Sequence, residues 1–212
     1  MKPLAECRLY AFVDAAYLRG RAPEAVAAQL CEGGADLIQW RAKDAAFDQV
    51  RRGAEAILPV TRAAGVGLGI NDHWQLAQEL GAEFCHLGQE DFFDAGHSHV
   101  SQLKTRGTTT CVGLSTHAPD QAQRALAAGP DYIAIGPVYA TGTKPSARPV
   151  TVEYVRWAAA NVALPWFAIG GITLANLDAV LAAGARRVCV VSAILNATDV
   201  AAECRKFRAQ LG

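Results

Sequence analysis

The sequence predicts an α/β protein folded as a single (β/α)8 barrel over residues 1–212, on three observations. First, one segment type recurs: a helical stretch ends in Gly, then Ala or Pro, a polar residue and a short apolar run. It appears as GADLIQW (34–40), GAEFCHL (81–87), GPDYIAI (129–135) and GARRVCV (184–190). Gly suits the position just past a helix end because it takes the left-handed conformation without a Cβ penalty. The run after it has strand length and is apolar on both faces, as in a parallel sheet. Second, the polar residues of successive copies are 47, 48 and 55 apart, enough for two strand–helix units each. The intermediate strands fall in between, in RLYAFV (8–13), VGLGI (66–70), TTCVG (109–113) and PWFAI (165–169). Third, the interleaved set gives eight strands at about 26 residues per unit, regular enough to favour closure over an open doubly wound sheet.

Taken in order, the strands are expected at 8–13, 36–40, 66–70, 83–87, 109–113, 131–135, 165–169 and 187–191. Between them lie alanine-rich helical stretches such as PEAVAAQLCEG, PDQAQRALAAG and LANLDAVLAAG. The segment 92–110 supports nothing finer than a helix. No linker, low-complexity segment or second core interrupts the pattern, so one domain is expected.

Composition narrows the class. Hydrophobic residues make up 51% and charged residues 19%, too apolar for a disordered chain. Twenty Lys+Arg against twenty Asp+Glu leave no global field for nucleic acid or an acidic membrane. No apolar run approaches the roughly 20 residues of a membrane span. The start MKPLAECRLY lacks a signal h-region, so a cytoplasmic protein is expected. The six cysteines are scattered without a CxxC pair. Cys85, Cys111 and Cys189 sit in apolar runs and read as small buried hydrophobes rather than disulfide or metal ligands.

Unusual polar residues follow the expected strands, where a barrel of this kind builds its chemistry. The second strand leads to Gln39, Arg41 and Lys43, and the third to Asn71 and Asp72. The fourth leads to His86, Gln89, Glu90 and Asp91, and the fifth to Ser115 and His117. The sixth opens a long loop carrying Thr141, Gly142, Thr143 and Lys144. Gly170 and Gly171 follow the seventh, and Ser192 the eighth. The opposite connections carry mostly Gly, Ala and Pro. That asymmetry points to an enzyme.

The residue types suggest two anion sites. Gly171 with the Val191–Ser192 backbone could cradle a monophosphate, since phosphate sites after strands seven and eight are common in this fold. A tight turn needing small residues is the alternative. Arg41, Lys43 and Lys144 gather three cations on one face, where an anion or neighbouring acids must balance them. Asp72 and Asp91 follow adjacent strands, and two carboxylates without a full oxygen cage match the way Mg²⁺ is held beside substrate phosphates. A rim of solvated salt bridges is the competing explanation. Asn71, Ser115, Thr141 and Thr143 could donate to phosphate oxygens or a heterocycle, or cap loops. His86 and His117 could serve as bases, but neither has a nucleophile nearby in sequence. His97 and His99 read as a solvated loop, and no strand carries a Schiff-base lysine. The pair of sites suggests joining two phosphorylated pieces with diphosphate as leaving group.

The motifs QWRAKD (39–44), GINDHWQLA (69–77), HLGQED (86–91), GLSTH (113–117), GPVYATGTK (136–144), AIGGI (168–172) and VVSAI (190–194) together resemble the thiamine-phosphate synthase family. The resemblance implies transfer of an aminopyrimidine-methyl group from its diphosphate ester to the ring nitrogen of a thiazole phosphate. The implied route is dissociative, with diphosphate leaving first. By matching position, Gln39, Arg41 and Lys43 would hold the pyrimidine and diphosphate, with Asn71, Ser115 and Lys144 adding diphosphate contacts. Asp72 and Asp91 would hold Mg²⁺. Thr141, Gly142 and Thr143, on a loop expected to close, would meet the thiazole phosphate with Gly171, Val191 and Ser192. Arg41, Lys43, Lys144 and Ser115 would be the catalytic set, and a homodimer is implied. Val13 stands where a threonine is usual, and Trp40 where a smaller apolar residue is usual. A thiazole tautomerase is the nearest rival, but it resembles this chain less: it carries histidine where Pro137 stands and lacks most of the diphosphate residues. A non-catalytic phosphate-ligand sensor is the rival from another class, and the chain shows no clear strand-end Glu base of the kind a phosphosugar isomerase would need.

Overall fold

Eight parallel strands follow one another in chain order around a closed barrel, in a computed structural model that describes residues 1–105, 107–142 and 148–212. They are β1 (Leu9–Asp14), β2 (Leu37–Arg41), β3 (Gly67–Asn71), β4 (Phe84–Gly88), β5 (Cys111–Thr116), β6 (Tyr132–Ile135), β7 (Trp166–Ile169) and β8 (Val188–Val190). β8 pairs back onto β1 with Leu9 opposite Val188, which closes the ring. The helices are α1 (Pro23–Glu32), α2 (Phe47–Ala63), α3 (Trp74–Leu80), α4 (Gln89–Asp94), α5 (Pro119–Ala127), α6 (Thr151–Asn161), α7 (Leu174–Ala182), α8 (Ser192–Leu195) and α9 (Val200–Leu211). Every expected strand is present.

The boundaries differ from expectation for a physical reason. Asp36, Glu83 and Asp131, expected to open strands, lie just outside them and spend their carboxylates on a neighbour. Asp36 accepts from the N–H groups of Arg8 and Leu9 (2.8 and 3.1 Å), at the start of β1. Glu83 accepts from Leu68 (2.9 Å) in β3, and Asp131 from Val112 (2.7 Å) in β5. An acid before each of β2, β4 and β6 therefore caps the odd strand before it, which is why the sequence repeat spans two units. Arg186 breaks the pattern before β8.

The barrel interior is aromatic. Tyr10, Phe84, Tyr132 and Phe167 are fully buried, and Tyr10 and Phe167 meet edge-on at 5.4 Å between ring centres. Glycines make the room: a Cβ on Gly113 would overlap the Tyr132 ring, and one on Gly69 would lie 2.7 Å from the Tyr10 hydroxyl. Side chains alternate along a strand, so Trp40 faces away from Gln39 and Arg41. Its indole packs where a Cβ on Gly53 of α2 would stand, and donates to the Val50 carbonyl (2.9 Å). That glycine accommodates the unusual tryptophan.

Residues 92–110 do not form one helix. The described residues of that span hold the end of α4, a 3₁₀ turn at Val100–Gln102 and loop, because Gly96 takes φ +83° and ends the first stretch of helix. His99 accepts from the Ser101 N–H there (3.2 Å), a loop role as expected. All six cysteines are free, and Cys85 and Cys189 are buried. No helix among the described residues is long and apolar enough to cross a membrane.

Candidate active site

The C-terminal ends of the strands open onto one pocket, with about 1140 Å³ of empty volume including its open mouth. β2 brings Gln39 and Arg41 to it, and the following loop brings Lys43. β3 ends at Asn71, with Asp72 next to it. Asp91 comes from the first turn of α4, Ser115 from β5, and Thr141 from the loop after β6. Gly171 after β7 and Val191 and Ser192 at the start of α8 line the other side. The expected residues thus converge, with three exceptions. Gly142 is exposed and does not line the pocket, its nearest neighbour being the Tyr17 hydroxyl at 3.7 Å from a Cβ placed there. Thr143 and Lys144 lie outside the described residues.

The cationic side is anchored from below. The Arg41 guanidinium donates to Asp14 Oδ2 (2.8 Å), and Asp14 is 1% exposed at the end of β1. Asp14 Oδ1 also accepts from the Ala16 N–H (3.0 Å), so the carboxylate is fixed at both oxygens. Sequence reasoning missed Asp14, because a lone acid at a strand end gives no sign of its partner. It also left unnamed the apolar walls Phe12, Ile169 and Ile172.

Asp72 has φ +62°, unusual for a residue with a Cβ, although Asp tolerates it better than most. Its N–H donates to the His86 carbonyl (2.9 Å), and its Oδ2 accepts from Asn71 Nδ2 (2.6 Å). Burial pushes its carboxyl above the usual range; Lys43 opposes this and the Asp91 carboxylate adds to it. A Cβ on Gly88 would stand 2.6 Å from Asp91 Oδ2, so the glycine lets Asp91 fold over the end of β4. Among the described residues no three His, Cys, Asp or Glu side chains form a metal cage. A partly desolvated carboxylate raised further by a second one is what a divalent cation relieves, and two carboxylates plus substrate oxygens suit Mg²⁺. The residues fit that group.

Below the pocket runs a buried polar chain. Gln39 Nε2 donates to the Tyr10 hydroxyl (3.0 Å), which meets the Tyr132 hydroxyl (3.2 Å), which meets His86 Nδ1 (3.3 Å). Burial lowers the His86 pKa to about 4, so its imidazole is neutral and ill suited to act as a strong base. His117 lines the pocket and bonds the Gly136 carbonyl through Nδ1. Gly170 and Gly171 have φ +104° and +62°. A Cβ on Gly171 would lie 2.5 Å from the Ala140 carbonyl, and one on Gly170 would overlap Pro137. Close packing against the β6 loop therefore requires both glycines, whatever ligand they meet.

A closed (β/α)8 barrel with this pocket at its C-terminal strand ends is an enzyme of the barrel class. The chain belongs to the thiamine monophosphate synthase family, whose model matches residues 9–194. It is 46% identical over 180 residues to thiamine-phosphate synthase of Thermus thermophilus, covering 84% of each chain. It is 38% identical over 207 residues to that of Pelotomaculum thermopropionicum, covering 97% and 93%. Among solved structures, the thiamine phosphate pyrophosphorylase of Pyrococcus furiosus superposes with a TM-score of 0.85 at 26% identity, over 98% of this chain and 96% of that one.

Proposed function

We propose that the protein joins 4-amino-2-methyl-5-(diphosphooxymethyl)pyrimidine to 4-methyl-5-(2-phosphooxyethyl)thiazole, giving thiamine phosphate and diphosphate. Family membership supports the reaction. The observation that carries the division of labour is one pocket with carboxylates and cations on one side and the Gly171, Val191 and Ser192 wall on the other. Gln39 would take the pyrimidine ring. Arg41, Lys43, Asn71 and Ser115 would hold the diphosphate, joined by Lys144. Asp72 and Asp91 would hold Mg²⁺, which when bound would offset diphosphate charge. The thiazole phosphate would sit against Gly171, Val191 and Ser192, with Thr141 and Thr143 closing over it.

In this reading the C–O bond to diphosphate breaks first, and the thiazole nitrogen captures the pyrimidine-stabilised cation. Such chemistry needs charge stabilisation and positioning more than a base, in keeping with a neutral His86. Arg41, pinned by Asp14, meets the leaving group without reorganising. The apolar walls at Phe12, Ile169 and Ile172 would keep water from the cation. Pro137 on the wall, where a tautomerase would carry histidine, favours the transferase over that rival. We set the activity in the cytoplasm, supported by six free cysteines; the family resemblance extends the proposal to a homodimer.

The test is to incubate purified protein with both substrates and Mg²⁺ and to follow thiamine phosphate and released diphosphate. Equimolar formation of the two supports the reading. Tight thiazole-phosphate binding without either product would overturn it in favour of an isomerase or a sensor.

A further inference from the structure

The chain under the pocket has a direction. Gln39 Nε2 donates to Tyr10, so the hydrogen of Tyr10 goes to its other partner, Tyr132. The hydrogen of Tyr132 then goes to His86 Nδ1, which accepts and leaves the ring hydrogen on Nε2. Burial pushes the ionisation of both phenols upward, so each keeps its hydrogen. The consequence falls on Gln39, a 1%-exposed residue at the pocket floor. Its carbonyl Oε1 is buried and has no partner among the described residues. An unmet buried acceptor is costly, which is tolerable where a ligand supplies the missing donor.

We propose that Tyr132, acting through Tyr10, is a positioning residue that fixes the Gln39 amide with its carbonyl free, so that the site selects a pyrimidine bearing an exocyclic amino group over one bearing an oxo group. This rests on the pyrimidine diphosphate reading above. Tyr132 does not line the pocket, but its partners Tyr10 and His86 do, and of the residues in this chain it is Gln39 that holds a buried acceptor without a partner among the described residues. Two glycines are shaped around the chain: Gly69 leaves space for the Tyr10 hydroxyl and Gly113 for the Tyr132 ring. Without the Tyr132 hydroxyl, the hydrogen of Tyr10 has Gln39 as its remaining partner. The amide then turns, Oε1 accepts from Tyr10, and Nε2 offers an N–H to the pocket instead. An amino group would face a donor, and an oxo group would be welcome.

The experiment measures dissociation constants by calorimetry for the aminopyrimidine diphosphate and its 4-oxo analogue. Wild-type protein is expected to favour the amino form by roughly 100-fold, the upper end of what leaving one buried acceptor unmet costs. Tyr132→Phe keeps the ring and should cut that ratio by about tenfold or more, the equivalent of one misdirected hydrogen bond. Tyr10→Phe should lower the ratio similarly, and the double variant should go no further, because the residues act as one chain. A general loss of packing would weaken both ligands alike and leave the ratio intact. If folded Tyr132→Phe and Tyr10→Phe keep the wild-type ratio, the proposal is overturned. Wild-type protein that binds neither diphosphate overturns the parent reading itself.

Discussion

Arg41, at the end of β2, is held by a carboxylate that never reaches the pocket: Asp14, at the paired end of β1, bonds it at 2.8 Å from an almost wholly buried position. The two residues are opposite one another in the β1–β2 register, so strand pairing alone brings them together. A guanidinium held this way keeps its remaining donors for an anion and loses little freedom on binding one.

Asp14→Asn should therefore weaken capture of the pyrimidine diphosphate while leaving the barrel folded. The expected change is a KM for that substrate raised by about tenfold, with stability lowered by roughly 1–3 kcal/mol for a buried polar group that loses its charged partner. Steady-state kinetics with each substrate varied in turn, together with thermal melts, checks it. An unchanged KM would show that Arg41 needs no such anchor.

The metal assignment predicts an inversion between activity and stability. Burial, then Asp91, raises the Asp72 pKa in the folded state. A folded carboxyl raised above its unfolded value makes stability fall as pH climbs through that interval, so the ionised group is a burden at neutral pH. Asp72→Asn should remove the burden, keep the bond from Asn71, and suit the positive φ. Its Tm in metal-free buffer should equal or exceed wild type, while turnover falls by roughly 100-fold or more. Added Mg²⁺ should raise the Tm of wild type but not of the variant.

Inside the barrel, Gly113→Ala would put a methyl group into the Tyr132 ring. Overpacking of this kind costs about 1–3 kcal/mol. Chemical denaturation should show that loss, with Tyr132→Leu in the same background recovering part of it.

His86 gives a pH signature. Its folded pKa is lowered to about 4 by burial, against about 6.5 in an unfolded chain. Below pH ~6.5 the unfolded state takes up a proton that the folded state refuses, so stability drops as pH falls from there to about 4 and then levels off. The total is on the order of 3 kcal/mol. His86→Phe, which keeps an aromatic ring beside Tyr132, should flatten that limb in denaturation curves taken across the range.

Much of this was legible in the chain itself. The recurring Gly–Ala/Pro–polar–apolar segment reports helix ends and buried strands, both governed by local chemistry; four of the eight strands follow from it directly, and the other four from the apolar runs its spacing leaves between the copies. Residues such as Asp72 and Asp91 could be placed at the pocket because a barrel sends strand ends to one face. What stayed hidden depends on pairing across strands. The register that sets Asp14 against Arg41, and the interior that strings Gln39, Tyr10, Tyr132 and His86 together, join residues up to 122 positions apart. The strand starts at Asp36, Glu83 and Asp131 shifted for the same reason, since each acid answers a neighbouring strand. Trp40 departs from the smaller residue usual at its position because Gly53 of α2 leaves room for its indole, a contact with no local sign in the sequence.

In the proposed reaction one pocket couples the two substrates with the help of a metal held by Asp72 and Asp91. The initial rate of thiamine phosphate formation, measured with Mg²⁺, then with excess EDTA, then with Mg²⁺ restored, tests it most directly. Product should stop with EDTA and return with the metal in wild type, and should stay near background throughout in Asp72→Asn. A rate indifferent to EDTA would contradict it.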